Sequence, residues 1–105
     1  MTLCCSFIVA TLALGPQYVP KDGYVPNSVT AVRIAEAVLI PVYGEKQIAS
    51  ERPLTATLKD GIWTVRGSLH CSDGRGSTTT HCVGGVATVK LSKVDARILS
   101  MIHYK

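Results

Sequence analysis

Two His-Cys pairs, His70-Cys71 and His81-Cys82, bracket the polar run Ser72 to Thr80, which reads Ser-Asp-Gly-Arg-Gly-Ser-Thr-Thr-Thr. Cysteine and histidine are the common ligands of structural zinc. Neighbours in an extended chain point to opposite sides, however, so neither pair readily turns both of its side chains toward one metal. The spacing also matches none of the usual zinc patterns. A Cys71–Cys82 disulfide closing the loop fits better, with free thiols as the third reading. In the chain-entropy model a loop this short is worth somewhat under ~3 kcal/mol, a large share of the stability of a small domain. Such a bond implies an oxidising compartment.

Acid–base chemistry has few groups to draw on. His70, His81, His103 and Asp73 are the candidates, but a catalytic triad needs groups that converge from fixed elements. Here two of the histidines and the aspartate lie on or beside one loop. Asp73-Gly74-Arg75-Gly76 superficially resembles a phosphate-cradling loop, yet no helix is expected after it. No paired carboxylates stand out among the seven acids. His103 reads as a strand residue. No catalytic residue, metal or cofactor is expected.

The elements that position these residues follow from periodicity. The chain has 105 residues, 47% of them hydrophobic, which is one domain and too little for two cores. From Gly23 to Lys46 the sequence reads as one amphipathic helix. Val32, Ala35, Val38, Leu39 and Val42 recur at three- and four-residue steps and are the expected core face. Asn27 or Ser28 can cap the start, Val25 can pack on the first turn, and Gly44 can end the helix in a left-handed conformation. Pro41 removes one donor and predicts a kinked last turn. Glu45 to Glu51 reads as a connector, with Ile48 docked on the core.

The remainder is strand-like. Leu54 to Leu58 alternates with one buried face, and Lys59-Asp60-Gly61 marks a tight hairpin. The return strand is expected over Ile62 to Leu69, with Trp63, Val65 and Leu69 inward and Gly67 leaving room between them. Val86 to Ser92 follows, with Ala87, Val89 and Leu91 inward and Thr88, Lys90 and Ser92 outward. The last strand, Arg97 to Tyr104, is apolar on both faces, as a central, doubly covered strand or an interface strand would be. The fold class is therefore α+β: one main kinked helix across a curved four-stranded antiparallel sheet. Its far face presents Thr55, Thr57, Thr64, Arg66, Ser68, Thr88 and Lys90.

Residues 1–15 hold an apolar, uncharged run from Leu3 to Leu14. As a helix it would reach about 18 Å, well short of a bilayer core of roughly 30 Å, so no stable membrane span is expected. It matches the apolar region of a secretory signal, although no Lys or Arg precedes it and Pro16 follows Ala13-Leu14-Gly15, a poor cleavage junction. An N-terminal strand or helix packed on the domain is the alternative. Residues 16–26, with three prolines, read as a linker with a turn at Asp22-Gly23, and 27–105 as the domain. The net charge is +4, and the excess lies in the second half of the chain. There Arg52, Lys59, Arg66, Arg75, Lys90, Lys93, Arg97 and Lys105 outnumber Glu51, Asp60, Asp73 and Asp95. A basic sheet face suits an acidic partner. No basic run with interleaved aromatics is present, so nucleic acid is not expected.

Gly23-Tyr24-Val25-Pro26, Ile34 to Val38, Ile40-Pro41-Val42-Tyr43-Gly44-Glu45-Lys46, Pro53-Leu54, Ile62-Trp63, Val65, Gly67, Gly84-Gly85-Val86, Ile98-Leu99 and Ile102-His103 together resemble the NTF2-fold immunity proteins of bacterial polymorphic toxin systems. The resemblance covers residues 23–105. It implies a small cystatin-like or NTF2-like roll, and a protein that binds a cognate toxin or effector and blocks it without catalysis, protecting producer and kin cells. Two departures stand out: the loop between Cys71 and Cys82 is long, and Asp95-Ala96 stands where Asp-Gly would be usual. The loop, with Asp73, Arg75 and His81, and the outer-face residues Arg66 and Lys90 form the candidate toxin-binding surface, since specificity for one toxin needs a variable element. If the chain is exported, a periplasmic toxin such as one attacking peptidoglycan is implied. A cytosolic nuclease or similar toxin is the alternative. A small envelope protein or lipoprotein, and less so a small enzyme of the same fold, are the competing functions.

Overall fold

Asn27 opens the first helix of the computed structural model, which describes residues 17–72, 78–79 and 85–104. Its side-chain Oδ1 accepts from the backbone N–H of Thr30 at 2.9 Å and from the Thr30 hydroxyl at 2.8 Å. One orphan donor of the first turn is thereby satisfied, a cap worth about 1 kcal/mol. Helix α1 runs Ser28–Tyr43 and continues through Pro41 without a break. It ends at Gly44, whose N–H closes the last i→i−4 bond on the Ile40 carbonyl at 2.7 Å. With φ 94° and ψ 148° this glycine turns the chain out of the helix in an extended positive-φ conformation and not the left-handed helical one expected. A second helix, α2, occupies Glu45–Ser50, where the sequence suggested only a connector. Ile48 is fully buried, as expected for an apolar residue docking on the core.

Ala31, Ala35 and Leu39, one full turn apart, are the buried stripe of α1, with Val32, Ile34, Val38 and Ile40 packed beside them. Val42 is 60% exposed and does not belong to the core. Once Gly44 redirects the chain, Tyr43 takes the inner position at this end of the helix.

The sheet contains β1 (Thr55–Lys59), β2 (Ile62–Arg66), β5 (Ala87–Ser92) and β6 (Ile98–His103) in that spatial order, each antiparallel to its neighbours. A two-residue hairpin, β3 (Cys71–Ser72) with β4 (Thr78–Thr79), lies in the connection between β2 and β5. Asp60 and Gly61, both at positive φ (51° and 75°), form the β1–β2 turn that Asp-Gly predicts. Helix α1 covers β1, β2 and β5. Beneath it Trp63, Val65, Ala87, Val89 and Leu91 form the sheet's half of the core.

Three expectations about the strands need correction. The return strand ends at Arg66, and Leu69 is 43% exposed. After Arg66 the chain leaves the sheet, because Ser68 turns to the 51–53 segment: its N–H donates to the Glu51 carbonyl at 2.7 Å and its hydroxyl to the Pro53 carbonyl at 2.6 Å. Thr88 lies on the outer face yet is buried, and its Oγ1 has no partner among the described residues. Its cross-strand neighbours are Arg66 and Ile102, both longer side chains that flank it. Of the two readings of the last strand, the central, doubly covered one is excluded: among the described residues it is a sheet edge, with Ile98, Leu99, Ile102 and Tyr104 exposed. A register shift between Lys90 and Leu91 pairs these with Ser100 and Ile98 and leaves Leu99 as the bulged residue.

The segment before α1 is built into the domain. Val25 is fully buried. The N–H groups of Tyr24 and Val25 donate to Val94 and Lys93 carbonyls, both at 3.0 Å, and the Trp63 indole donates to the Val25 carbonyl at 2.8 Å. The turn ahead of it is closed by the Gly23 N–H on the Pro20 carbonyl at 3.1 Å.

Candidate functional site

Antiparallel register fixes which side chains share the face of the sheet that no described element covers, hereafter the uncovered face. One row runs Thr55, Arg66, Thr88 and Ile102, and the next runs Thr57, Thr64, Lys90 and Ser100. A third places Lys59 beside Ile62 and Ser92. Directly opposed residues on adjacent strands are close enough to act as one surface. The four strands contain no Asp or Glu, and their Lys and Arg residues, Lys59, Arg66 and Lys90, all lie in these rows. All three are exposed, and none is ion-paired among the described residues. The face is therefore a carpet of threonines and serines with a net positive field, the reverse of the helix-covered side.

Arg66 and Lys90 thus stand where the sequence placed them, one row apart on neighbouring strands. Asp73, Arg75 and His81 lie outside the described residues, as does Cys82. Cys71 lies in β3, paired with Thr79.

A second cluster was not foreseen. Glu51 follows α2 and is only 4% exposed, yet it carries a carboxylate into the space between α2, β5 and β6. Its Oε1 accepts from the Ala87 N–H at 2.7 Å. Its Oε2 accepts from Gln47 Nε2 at 2.8 Å and from His103 Nε2 at 2.9 Å. Beside an ionised carboxylate that nitrogen carries the proton. The Tyr43 ring packs on the His103 ring with centroids 5.1 Å apart. Burial pushes the Glu51 carboxyl up, but the hydrogen bonds from Gln47, the Ala87 N–H and His103 outweigh it and hold the group below the ordinary carboxylate value. Gly67 makes the arrangement sterically feasible, since a Cβ there would run into the Glu51 side chain.

A carboxylate–histidine pair invites a catalytic reading, but both Glu51 oxygens are committed to the fold. None of the three recesses found among the described residues is lined by Glu51 or His103. The pair ties the edge strand β6 to α2. Nearby, Arg52 donates to Glu36 at 2.7 Å and to Glu45 at 3.2 Å, joining the end of α2 to both helices. Among the described residues no three His, Cys, Asp or Glu side chains gather as a metal site would require, and no helix is long and apolar enough to cross a membrane.

Sequence reasoning missed Glu51 because a lone glutamate in an apparent connector has the pattern of a solvated residue. The available signal was Gly67: the space expected among Trp63, Val65 and Leu69 is taken instead by the Glu51 side chain.

The uncharacterized protein YhhH of Escherichia coli strain K12 is 30% identical over 81 residues, an overlap of 77% of this chain and 58% of that protein. The chain thus spans less than two thirds of that relative's length. No solved structure matches. The model of the NTF2 fold immunity protein family matches residues 30–105, which take in α1 from Thr30 onward, the whole sheet and the Glu51 cluster. With this match over most of the chain, on a helix-covered antiparallel sheet, the protein belongs to the NTF2 fold immunity protein family.

Proposed function

We propose that this chain neutralises a cognate bacterial toxin by binding it through the uncovered face of the sheet, occluding the toxin's working surface without any catalytic step. The family supplies the class of partner. The observation that carries the choice of face is its charge: every cation of the four strands projects from it, and no acid does. Electrostatic complementarity of this kind steers encounter and rejects wrong partners. Arg66 and Lys90 are the anchors on the sheet, and the 72–81 loop, with Asp73, Arg75 and His81, adds specificity from its rim. Arginine is favoured at the energetic centres of interfaces.

The same reading places the protein outside the cytoplasm, in the periplasm, against a secreted effector that acts there on a target such as peptidoglycan. What supports it is the apolar run Leu3 to Leu14 together with Cys71 and Cys82, which suit an oxidising compartment. The disulfide gives a direct check. Protein purified from the periplasm is expected to gain about 2 Da on reduction when Cys4 and Cys5 are replaced by serine, one bond's worth of hydrogen. An unchanged mass rules the Cys71–Cys82 bond out.

Co-expression with the toxin encoded beside it in the producing strain tests the function itself. Restored growth together with a co-purifying complex is the expected result. Cells that die at the same rate with and without the protein, and no complex by calorimetry, would overturn the reading.

A further inference from the structure

Where β2 ends, the uncovered face holds a recess of ≈ 420 Å³ lined by Arg66, Gly67, Leu69, Gly85, Val86 and Tyr104. Its walls combine two features that ordinary solvated strand surface lacks. Leu69 and Tyr104 are large side chains left 43% and 52% exposed, and they share the lining with a buried Val86. Arg66 brings a guanidinium to the same space with no carboxylate paired to it among the described residues.

The recess is built by close backbone approach. Gly85 lies against the Tyr104 carbonyl so tightly that a Cβ there would overlap it, while the Tyr104 N–H donates to the Val86 carbonyl at 3.3 Å. A glycine at this position therefore fixes where the Tyr104 ring begins. On the opposite wall Gly67 is held by its N–H on the Ala87 carbonyl at 3.0 Å.

A largely apolar recess whose lining includes one planar, five-donor cation with no ion-pair partner among the described residues suits a short carboxylate on an aliphatic stem. The geometry points to this recess as the specificity pocket of the binding face, taking an acidic side chain, glutamate or aspartate, from the protein partner. The stem packs between Leu69 and Tyr104, and the carboxylate meets the Arg66 guanidinium. The choice of a protein carboxylate rests on the immunity reading above and on charge complementarity, because Arg66 is the one charged residue of the lining and the four strands contribute no acid.

The test uses the full chain and a defined probe, N-acetyl-glutamate methylamide, with the glutamine counterpart as the neutral control. Amide chemical shifts are followed by NMR as each is titrated to tens of millimolar. The glutamate probe is expected to move Gly67, Gly85, Val86 and Tyr104 and the Arg66 Nε–H, saturating in the millimolar range. The glutamine probe should move them at least about threefold less. Arg66→Gln should abolish the difference between probes, and Tyr104→Leu should weaken the glutamate response while keeping the fold. Equal responses to the two probes, or shifts spread evenly over Lys59 and Lys90, overturn the pocket. The immunity reading fails separately. A protein that seats the probe but protects no cell from its neighbouring toxin refutes that reading and leaves the pocket standing. A toxin bound equally well by wild type and Arg66→Gln refutes the pocket and Arg66 as an anchor, and leaves the neutralisation of a toxin standing.

Discussion

Replacing Glu51 by alanine is expected to destabilise the protein by about 3–5 kcal/mol, since a buried N–H left without an acceptor costs about 1–3 kcal/mol and hydrogen bonds to a charged group contribute about 1.5–3 kcal/mol each. For a domain of this size that lowers Tm by about 15 °C or more and consumes much of a total stability of about 5–15 kcal/mol. Three donors lose their acceptor at once: the Ala87 N–H, Gln47 Nε2 and His103 Nε2. The Ala87 N–H is buried in the sheet and has no route to water. Glu51→Gln keeps the shape but sets an amide donor against these donors, so a smaller loss of about 1–3 kcal/mol is expected. Gly67→Ala reaches the same defect from the other side, because its new methyl group takes the space of the Glu51 side chain. Thermal unfolding of the three variants checks the order. A Glu51→Ala protein as stable as the wild type would show that the carboxylate is not holding β6 to α2.

The sign of the pH dependence follows from the same contacts. Glu51 titrates below its ordinary value of 4.5 in the folded protein, so near that pH the unfolded chain binds more protons than the folded one. Its contribution is fully present above the unfolded value and is lost as pH falls through the lower, folded one. Wild type should therefore lose stability progressively on acidification from about pH 5, while Glu51→Gln, having no proton to take up there, shows a shallower acid limb. Parallel limbs for the two proteins would place the acid sensitivity elsewhere.

What could be read in advance divides along a physical line. Asn27, the α1 stripe, the Asp60-Gly61 turn and the inward set Trp63, Val65, Ala87, Val89 and Leu91 depend on local chemistry or on period, and both are written in consecutive residues. The outer face was legible for the same reason: once alternation assigns Val65 and Val89 inward, Arg66 and Lys90 must point outward. Contacts between residues far apart in the chain were not legible. Leu69 looked like the next inward position, but Ser68 had already turned to Glu51 and Pro53, and no periodicity records that. Val42 fits the helical stripe on paper, yet Tyr43, four residues beyond Leu39, takes the inner position at that end of the helix. Glu51 and His103 are 52 residues apart, and neither carries a sign of the other. Tyr104 looked like one more strand residue, and only the close approach of Gly85 turns it into a wall.

Reversing Arg66 and Lys90 together to glutamate is expected to weaken toxin binding by a factor of about 10²–10⁴. Like charges brought face to face across an interface cost several kcal/mol, and each 1.4 kcal/mol is tenfold in affinity. The fold should tolerate the change to within about 0.5 kcal/mol, because both side chains are exposed and neither forms an ion pair among the described residues. Unchanged thermal unfolding is thus the first control. The second separates a specific face from overall charge. Lys46→Glu alters charge on α2, on the helix-covered side, and should shift affinity by no more than about threefold, the scale of long-range steering at physiological salt. Calorimetry at two ionic strengths completes the argument. The wild-type affinity should fall as salt rises, and the reversed protein should lose that dependence or invert it. If Lys46→Glu, scaled per charge, weakens the complex as much as the double reversal, then net charge governs binding and the uncovered face has no special part in it. A loss confined to Arg66 and Lys90 places the toxin on the one surface of the sheet that the helices leave open.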